Sequence, residues 1–371
     1  MDICGSVSTN TKGAVLYDYL FCRGGAERVA LTLAQDIPNT VLCAGFRNSN
    51  AFSNRYLSKV SYIDLHAQTR IPGWRLIKGA RAFQTKTDFL SDYDWVIYSG
   101  TIAPLAVHKH TDGCNIYYCH TTPRFIYDLR DFYVKRMAGW QRPGLEAIGW
   151  YLRKRYHEAI GEMDTIIANS VNVQNRIAKD LGYESVVVNP PCDVDKFRWE
   201  GQEGYYLSTG RLESYKRVER IVLAFLKLTD KRVVIASGGS EFDRLRRLAA
   251  GAKNIKFLGW VDDRKMRDLI GHCIATIYIP QDEDFGISPV ESMAAGKPVI
   301  GVAEGGLLET VIDGETGILL GSDPSPEEII GAVTCMKPGY ALGMRVACEQ
   351  RAEHFRRDIF IDRMRSIIGQ G

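Results

Sequence analysis

Residues 283–291 read EDFGISPVE and lie between a strand-like apolar run and a segment with helical periodicity. The preceding residues 275–279, ATIYI, predict a buried strand that delivers Glu283 to its carboxyl end. Gly286 permits a tight turn, and the Ser-Pro pair that follows it predicts the start of the next helix. Because ligands bind beside the carboxyl ends of strands in open α/β sheets, this stretch predicts a binding edge.

The same stretch also fits a purely structural interpretation. Ser288 as N-cap and Glu291 at the third helical position would form a capping box. A capping box explains Glu291, but it explains neither Glu283 nor the Phe-Gly pair between the two acids. Local sequence alone leaves both interpretations open.

Apolar runs of strand length alternate with helical periods along the whole chain, which is typical of parallel sheets with crossover helices. In the first half, strands are predicted near residues 14–18, 40–46, 60–65, 95–100, 115–120, 165–170 and 185–189. In the second half, they are predicted near residues 205–209, 232–237, 255–259, 275–279, 298–302 and 317–320. The alternation predicts an α/β fold.

A boundary between two domains is predicted at residues 189–197, NPPCDVDKF. Adjacent prolines can continue neither a helix nor an inner strand. The chain has 371 residues, and a single core rarely grows past roughly 250 to 300 residues. We therefore expect one domain over residues 1–192 and a second over residues 193–349.

Composition excludes several classes of protein. A net charge of +3 is too small to indicate nucleic-acid binding. The nine cysteines form neither a Cys-x-x-Cys pair nor a cluster with histidine, which favours reduced thiols in the cytoplasm and argues against a metal site. No window approaches the roughly 20 apolar residues of a membrane span, and the polar start does not resemble a signal peptide. We expect a soluble or peripheral protein.

Two basic, aromatic segments suggest contact with an anionic membrane. Residues 130–156 carry Trp140, Trp150 and several tyrosines among their basic residues, which are Arg130, Lys135, Arg136, Arg142, Arg153, Lys154 and Arg155. Residues 70–86 contain Trp74 and further basic residues. Each cation near an anionic surface contributes about 1 kcal/mol, and aromatic rings prefer the interface. A solvated helix face explains these segments equally well.

Several motifs, taken in their order along the chain, resemble those of the family 4 retaining glycosyltransferases. The run over residues 283–317, with PVI at 298–300 and DGETG at 313–317, resembles the donor-binding half of that family. Residues 210–217, GRLESYKR, resemble its arginine and lysine pair, and residues 24–29, GGAERV, resemble its first glycine loop. The resemblance covers nearly the whole chain.

The resemblance implies the fold called GT-B, in which two Rossmann-like domains with parallel sheets face a central cleft. It also implies that residues 350–371 return to the first domain. The expected activity is retaining transfer of a hexose, with mannose from GDP-mannose favoured, to a lipid-linked or polysaccharide acceptor. Neither a cofactor nor a metal ion is expected, and the expected location is the cytoplasmic face of the membrane.

The predicted diphosphate site consists of Arg211 and Lys216, with Lys216 at the start of a helix that continues to Lys227. An arginine fork and a lysine point charge would together offset the charge that grows on the leaving phosphate. A cation at a helix N-terminus opposes the helix dipole, which favours a functional reason for its presence.

The resemblance assigns the remaining donor contacts. Glu291 would accept hydrogen bonds from the ribose hydroxyls, and Glu283 would contact hydroxyls of the transferred sugar. The other expected donor-binding residues are Gly238, Val261, Phe285, Gly286, Ile287, Gly305, Gly306 and Leu307.

In the first domain, His120 ends a predicted strand and begins HTTPR, which resembles the His-Thr-Pro segment of mannosyltransferase-like members. The resemblance implies that His120 reaches the donor sugar, while the extra threonine departs from the family pattern. Gly24 and Gly25 precede a predicted helix and would form an anion pocket for donor or acceptor phosphate.

Three alternatives stay open. The donor could be a UDP-hexose or a UDP-N-acetylhexosamine. A non-catalytic sugar-nucleotide-binding module would keep the scaffold, although the four charged residues Arg211, Lys216, Glu283 and Glu291 argue against it. A dehydrogenase is disfavoured because no strand is followed by Gly-x-Gly-x-x-Gly with an acid about 20 residues later.

Overall fold

The computed structural model describes residues 11–22, 24–69, 74–127, 139 and 142–369. It divides into a first unit, Met1–Pro190 with Phe360–Gly371, and a second unit, Pro191–Ile359. The sequence predicts that the second domain ends at residue 349, whereas the structure carries it to Ile359. The physical reason is that Ala352 and Phe355, which lie beyond residue 349, are buried in the core of the second unit.

In its described residues, the first unit contains seven parallel strands: β1 Gly13–Tyr17, β2 Thr40–Ala44, β3 Ser61–Asp64, β4 Trp95–Ser99, β5 Cys114–Cys119, β6 Thr165–Ala168 and β7 Val186–Val187. Their order in the sheet is β3-β2-β1-β4-β5-β6-β7. In the register of the sheet, Val15 lies opposite both Leu42 and Ile97. All three are fully buried, as expected for a parallel sheet covered on both faces.

The helices of this unit are α1 Gly25–Asp36, α2 Trp74–Thr85, α3 Arg142–Gly161 and α4 Val171–Leu181. Short 3-10 helices occupy Asp88–Asp92 and Ala103–Lys109. The bounds of α4 follow from local chemistry, because the Ser170 side chain accepts a hydrogen bond from the Val173 N–H and Gly182 ends the helix with a φ of 75°.

The second unit contains six parallel strands: β8 Tyr205–Ser208, β9 Arg232–Ile235, β10 Ile255–Phe257, β11 Thr276–Ile277, β12 Val299–Val302 and β13 Gly317–Leu320. Their order is β10-β9-β8-β11-β12-β13. The strands of both sheets lie close to the predicted positions, and the predicted α/β class with two parallel sheets is confirmed.

The helices of the second unit are α5 Val218–Lys227, α6 Phe242–Leu248, α7 Asp263–His272, α8 Ile287–Ala294, α9 Leu307–Thr310, α10 Pro326–Cys335, α11 Pro338–Gly343 and α12 Arg345–Glu353. A last helix, α13, spans Arg357–Ile368. Its residues Phe360, Met364 and Ile368 are buried in the core of the first unit. Among the described residues, no helix combines the length and the apolarity that a bilayer crossing requires.

Each sheet has one point at which the strand order reverses. In the first sheet this point lies between β1 and β4, and in the second it lies between β8 and β11. Loops leave the two central strands in opposite directions there, so a crevice opens at the carboxyl ends of the strands. The predicted residues Lys216 and Glu283 follow β8 and β11 and therefore flank the crevice of the second sheet.

Candidate functional site

The loop after β8 carries the two predicted cations. Ser214–Lys216 form one turn of 3-10 helix, Arg217 has a left-handed φ of 55°, and α5 begins only at Val218. The prediction that a helix starts at Lys216 is therefore wrong, because a left-handed residue separates Lys216 from α5. Arg211 lies at the beginning of the same loop and is exposed.

Lys216 forms a buried ion pair at the switch point of the second sheet. Its ammonium pairs with the Glu283 carboxylate, and the two side chains are 10% and 16% exposed. Lys216 Nζ also donates a hydrogen bond of 3.3 Å to the hydroxyl of Tyr278. Burial lowers the pKa of Lys216, but the Glu283 carboxylate and the Tyr278 hydroxyl outweigh this effect and raise it above its ordinary value. Lys216 is therefore charged at neutral pH.

Glu291 lies inside α8 and is buried. The helix begins at Ile287, Gly286 is its N-cap with a φ of 91°, and no side chain caps it. The prediction that Ser288 with Pro289 starts the helix is wrong, and so is the capping-box interpretation of Glu291. Gly286 reaches a conformation that other residues rarely adopt, and the helix starts directly after it. A capping box with Ser288 therefore does not account for Glu291.

The glycine pair after β12 holds the loop of Glu283 in place. The Gly306 N–H donates a hydrogen bond of 2.8 Å to the Glu283 carbonyl. A Cβ on Gly306 would lie only 2.4 Å from the Phe285 Cα, so this contact requires glycine. Gly305 reaches the contact with a left-handed φ of 60°. The two glycines therefore have a structural function, and their contact with the donor stays a prediction.

Two of the predicted donor-binding side chains belong to the hydrophobic core. Phe285 is 3% exposed and packs edge-on against Phe355, with ring centroids 5.4 Å apart. Leu307 is fully buried in the same core, and Ile287 packs partly against it. Burial leaves only backbone atoms of Phe285 and Leu307 for the predicted donor contacts.

The loops after β8, β9 and β10 contact one another on the same edge of the sheet. The Leu212 N–H donates a hydrogen bond of 2.9 Å to the Gly238 carbonyl. A Cβ on Gly238 would lie 2.4 Å from Trp260 Nε1, so glycine permits the indole to approach. Trp260 itself is 70% exposed, while Val261 packs partly on a small core. An exposed indole beside Gly238 is available to stack on a nucleotide base.

His120 lies at the carboxyl end of β5 in the first unit. Its ring packs against Tyr118 at a centroid distance of 5.0 Å and edge-on against Tyr17 at 6.4 Å. Within the described part of the chain, its buried Nε2 has no hydrogen-bond partner. Burial lowers the pKa of His120 to about 3, so the ring is neutral at neutral pH. Its contact with a donor sugar stays a prediction.

Both threonines after His120 are anchored to α4. The Thr121 hydroxyl accepts a hydrogen bond of 2.8 Å from Arg176, and the buried Thr122 hydroxyl donates one of 2.7 Å to Asp180. The extra threonine of HTTPR is therefore accommodated by side chains of α4. Sequence reasoning missed this anchoring because the partners lie more than 50 positions away.

Gly24 is the N-cap of α1, and Gly25 is its first residue. The Glu27 carboxylate folds back toward them, since a Cβ on Gly24 would lie 2.6 Å from Glu27 Oε2. A phosphate at these glycines would have to compete with this carboxylate. The predicted anion pocket stays a prediction.

Sequence reasoning also missed Asp18, which follows β1 at the switch point of the first sheet. Its carboxylate accepts hydrogen bonds from the N–H groups of Thr101, Ile102 and Ala103 at 2.7, 2.9 and 2.8 Å. Burial raises the pKa of Asp18 to about 6 despite these bonds. Asp18 thereby fixes the segment after β4. An acid directly after the first strand was the signal available in the sequence.

A cavity of about 530 Å³ opens on the carboxyl edge of the second sheet. Among its lining residues, Arg217 pairs with Glu304 at 3.4 Å and donates to the Ser322 carbonyl. Arg220 pairs with Asp323 at 2.8 Å. These contacts fasten the loops after β12 and β13 to the start of α5, so the two arginines have a structural function beside the crevice.

One group of potential metal ligands occurs among the described residues, and it lies away from this edge. Glu200, Asp268 and His272 come within ligand distance of one another, before β8 and at the end of α7. His272 Nδ1 already lies 2.9 Å from the Asp268 carbonyl, and Lys265 pairs with Asp268 at 2.6 Å. The group is a surface network of hydrogen bonds and ion pairs.

Comparison with known proteins adds independent information. Residues 193–353 match the family model described as Glycosyl transferases group 1. The chain is 51% identical over 63 residues to alpha-1,3/1,6-mannosyltransferase ALG2 of Dictyostelium discoideum, a match that covers 17% of this chain and 15% of the relative. It is 25% identical over 335 residues to ALG2 of Kluyveromyces lactis, covering 75% and 62% of the two chains. The chain thus spans less than two thirds of these relatives.

Solved structures show the same fold. Anabaena Alr3699/HepE, solved in complex with UDP and glucose, superimposes with a TM-score of 0.74 at 17% identity, covering 96% of this chain and 98% of that one. At this identity the likeness shows the fold alone. This likeness in fold agrees with the predicted fold class.

Proposed function

We propose, from the match of residues 193–353 to the family model described as Glycosyl transferases group 1, that the chain transfers a hexose with retention of anomeric configuration. The proposed donor is GDP-mannose, and the proposed acceptor is lipid-linked or a polysaccharide. The observation that carries the proposal is the buried pair of Lys216 and Glu283 at the switch point of the second sheet. Such crevices bind nucleotides in related α/β sheets.

The proposed reaction divides the work between cations and acids. Lys216 and Arg211 stabilise the diphosphate as its negative charge grows during cleavage of the glycosidic bond. Glu283 accepts hydrogen bonds from hydroxyls of the transferred sugar, and Glu291 accepts them from the ribose diol. Lys216 is charged at neutral pH because Glu283 and Tyr278 raise its pKa. Lys216 therefore does not have to take up a proton before it can stabilise the leaving group.

We also propose that the neutral ring of His120 contacts the transferred sugar. Burial holds the pKa of His120 at about 3. A neutral imidazole has one nitrogen that donates and one that accepts. Its unpaired nitrogen can therefore form a hydrogen bond with a sugar hydroxyl without bringing a charge into the site. The leaving phosphate oxygen then accepts the proton of the acceptor hydroxyl on the same face of the sugar.

The choice of mannose is supported by the names of the relatives, which are alpha-1,3/1,6-mannosyltransferases. The structural neighbour solved with UDP and glucose supports the second candidate, a UDP-hexose or UDP-N-acetylhexosamine donor. A non-catalytic sugar-nucleotide-binding module is the third. Calorimetric titration with GDP, UDP and NAD shows which of these nucleotides the protein binds.

We expect GDP to bind more tightly than UDP and expect NAD not to bind. Incubation with GDP-mannose, UDP-glucose and UDP-N-acetylglucosamine, with release of the nucleoside diphosphate as the readout, then identifies the donor. Binding of GDP without any release from any donor would support the non-catalytic module. Binding of NAD but of neither diphosphate would overturn the proposal.

We also propose that the first unit binds the cytoplasmic surface of an anionic membrane, where a lipid-linked acceptor would lie. The exposed face of α2 presents Trp74, Ile77, Lys78 and Arg81. On α3, Trp150 is 70% exposed beside the exposed cations Arg153, Lys154 and Arg155. Aromatic rings with flanking cations suit a headgroup region. Residues 70–73 of the segment 70–86, and Arg130, Lys135, Arg136 and Trp140 of the segment 130–156, lie outside the described residues.

A further inference from the structure

We propose that Tyr278 is a positioning residue for the transfer reaction, with a hydroxyl that holds Lys216 and Glu283 in place for the donor. This inference rests on the proposed function of the Lys216–Glu283 pair. Tyr278 directly follows β11 and is 7% exposed. It therefore lies at the same switch point as the pair, although its pattern in the sequence is that of a core strand residue.

Tyr278 and Glu283 both contact the ammonium of Lys216. Lys216 Nζ donates to the Tyr278 hydroxyl at 3.3 Å and pairs with the Glu283 carboxylate. The Glu283 carboxylate lies close enough to the Tyr278 hydroxyl to raise its pKa. The Tyr278 hydroxyl thus accepts a hydrogen bond from Lys216 and keeps its own proton, which it can donate to the nearby carboxylate.

The neutral hydroxyl has a function that neither charged partner can supply. In the structure, Lys216 and Glu283 neutralise each other, whereas a bound donor would draw the ammonium to its phosphate and the carboxylate to its sugar hydroxyls. Tyr278 keeps its hydrogen bond to the ammonium during this exchange and, because it is neutral, does not cancel the ammonium charge. Burial, reinforced by Glu283, raises the pKa of Tyr278 above its ordinary value, so its proton stays available to Glu283.

The position of the ring is fixed independently of its hydroxyl. The Tyr278 N–H donates a hydrogen bond of 2.9 Å to the Ile300 carbonyl, which ties the residue to β12. A Cβ on Gly210 would lie 3.7 Å from Tyr278 Cε2, so the ring packs on the loop that leads to Lys216. Replacement by phenylalanine therefore keeps the ring in place and removes only the oxygen.

The test compares Tyr278→Phe with Tyr205→Phe. The Tyr205 hydroxyl is also buried in the second unit and donates a hydrogen bond of 2.8 Å to the Leu269 carbonyl, at the other end of β8. Both variants lose one buried hydroxyl, so their melting temperatures control for a general loss of stability. The readouts are the Kd for GDP, UDP and the corresponding monophosphates, and kcat and KM with the donor that the wild type uses.

For Tyr278→Phe we expect about tenfold weaker binding of the diphosphate, the size expected for one charge-assisted hydrogen bond. Binding of the monophosphate should stay unchanged, and kcat should fall about tenfold with little change in KM, because Lys216 acts mainly on the leaving group. Tyr205→Phe should match the wild type in all of these constants. In a Lys216→Ala background, Tyr278→Phe should add no further loss of diphosphate affinity.

The outcomes separate the two proposals. If neither GDP nor UDP binds the wild type, the proposed function fails. If one binds and Lys216→Ala weakens its binding while Tyr278→Phe behaves like the wild type, only the Tyr278 inference fails. Tyr278→Phe could also lower diphosphate affinity equally in the wild type and in the Lys216→Ala background. That result would overturn the inference, because Tyr278 would then act on the ligand directly and not through Lys216.

Discussion

The buried ion pair makes Lys216 the most informative single residue to replace. We expect Lys216→Met to lower kcat by about 100-fold or more, since a cation positioned at a developing charge contributes about 3 kcal/mol or more. The free energy of unfolding should fall by about 3 to 5 kcal/mol, because Glu283 is left buried without its partner. Steady-state kinetics and urea unfolding measure the two effects.

Two controls separate the loss of activity from the loss of stability. Lys216→Met with Glu283→Gln removes both charges and should be more stable than Lys216→Met alone, yet equally inactive. Lys227→Met removes an exposed lysine of α5 that pairs with the exposed Glu327. It should change stability by at most about 1 kcal/mol and leave kcat unchanged. Recovery of activity in the double variant would contradict the proposed function of the pair.

His120 gives a prediction about pH. Burial lowers its pKa in the folded protein to about 3, from an ordinary value of 6.5. Between these values the unfolded chain binds more protons, so protonation of His120 favours unfolding as the pH falls. The free energy of unfolding of the wild type should therefore decline from pH 6.5 toward pH 3 more steeply than that of His120→Asn.

Asp18 provides the internal comparison for this prediction. Burial raises its pKa to about 6, so Asp18 binds more protons in the folded protein between its ordinary value of 3.8 and about 6. Its contribution to stability increases as the pH falls, which is the opposite sign. Both proteins contain Asp18. Its contribution therefore cancels when the free energy of unfolding of His120→Asn is subtracted from that of the wild type. Parallel curves for the two proteins would show that His120 titrates normally.

At the scale of elements, the contact between the loops after β11 and β12 depends on one glycine. Gly306→Ala would place a Cβ 2.4 Å from the Phe285 Cα and displace the hydrogen bond to the Glu283 carbonyl. We expect a loss of about 1 to 3 kcal/mol in the free energy of unfolding, together with weaker diphosphate binding. Chemical denaturation and calorimetric titration measure both.

The matched control is Gly339→Ala on α11, where a Cβ would meet no atom within 4 Å. Alanine favours helix over glycine, so this variant should be as stable as the wild type or slightly more stable. Full stability of Gly306→Ala would mean that the two loops are less tightly packed than the structure shows.

Sequence-based prediction succeeded for some elements and failed for others. Strands such as β12 were predictable because fully buried parallel strands are continuous apolar runs. The starts of α5 and α8 were not, because Arg217 and Gly286 adopt left-handed conformations that no local pattern required. Tyr278 was missed for a related reason. In the sequence, an aromatic residue at a strand end cannot be told from a core residue, and only the structure shows the hydrogen-bond partner of its hydroxyl.

At the scale of the whole molecule, the proposed membrane contact predicts binding that depends on lipid charge. The wild type should float with anionic vesicles of phosphatidylglycerol and phosphatidylcholine more than with phosphatidylcholine alone. Recovery should fall as salt is raised from 0.05 to 0.5 M, because ions screen exposed charges. The sequence could predict the charges and the aromatic residues but not which of them share a face, and the structure supplies this for α2.

Arg81→Glu tests that face directly. Arg81 is exposed on α2, and reversing its charge removes about 1 kcal/mol of attraction and adds a similar repulsion, so the vesicle partition coefficient should fall by about 30-fold. Arg246→Glu makes the same charge change on the exposed face of α6 in the second unit and should leave partitioning close to that of the wild type. Trp74→Ala should weaken binding to both kinds of vesicle, since it removes apolar area. Equal partitioning of Arg81→Glu and Arg246→Glu would mean that net charge, and not the α2 face, governs the contact.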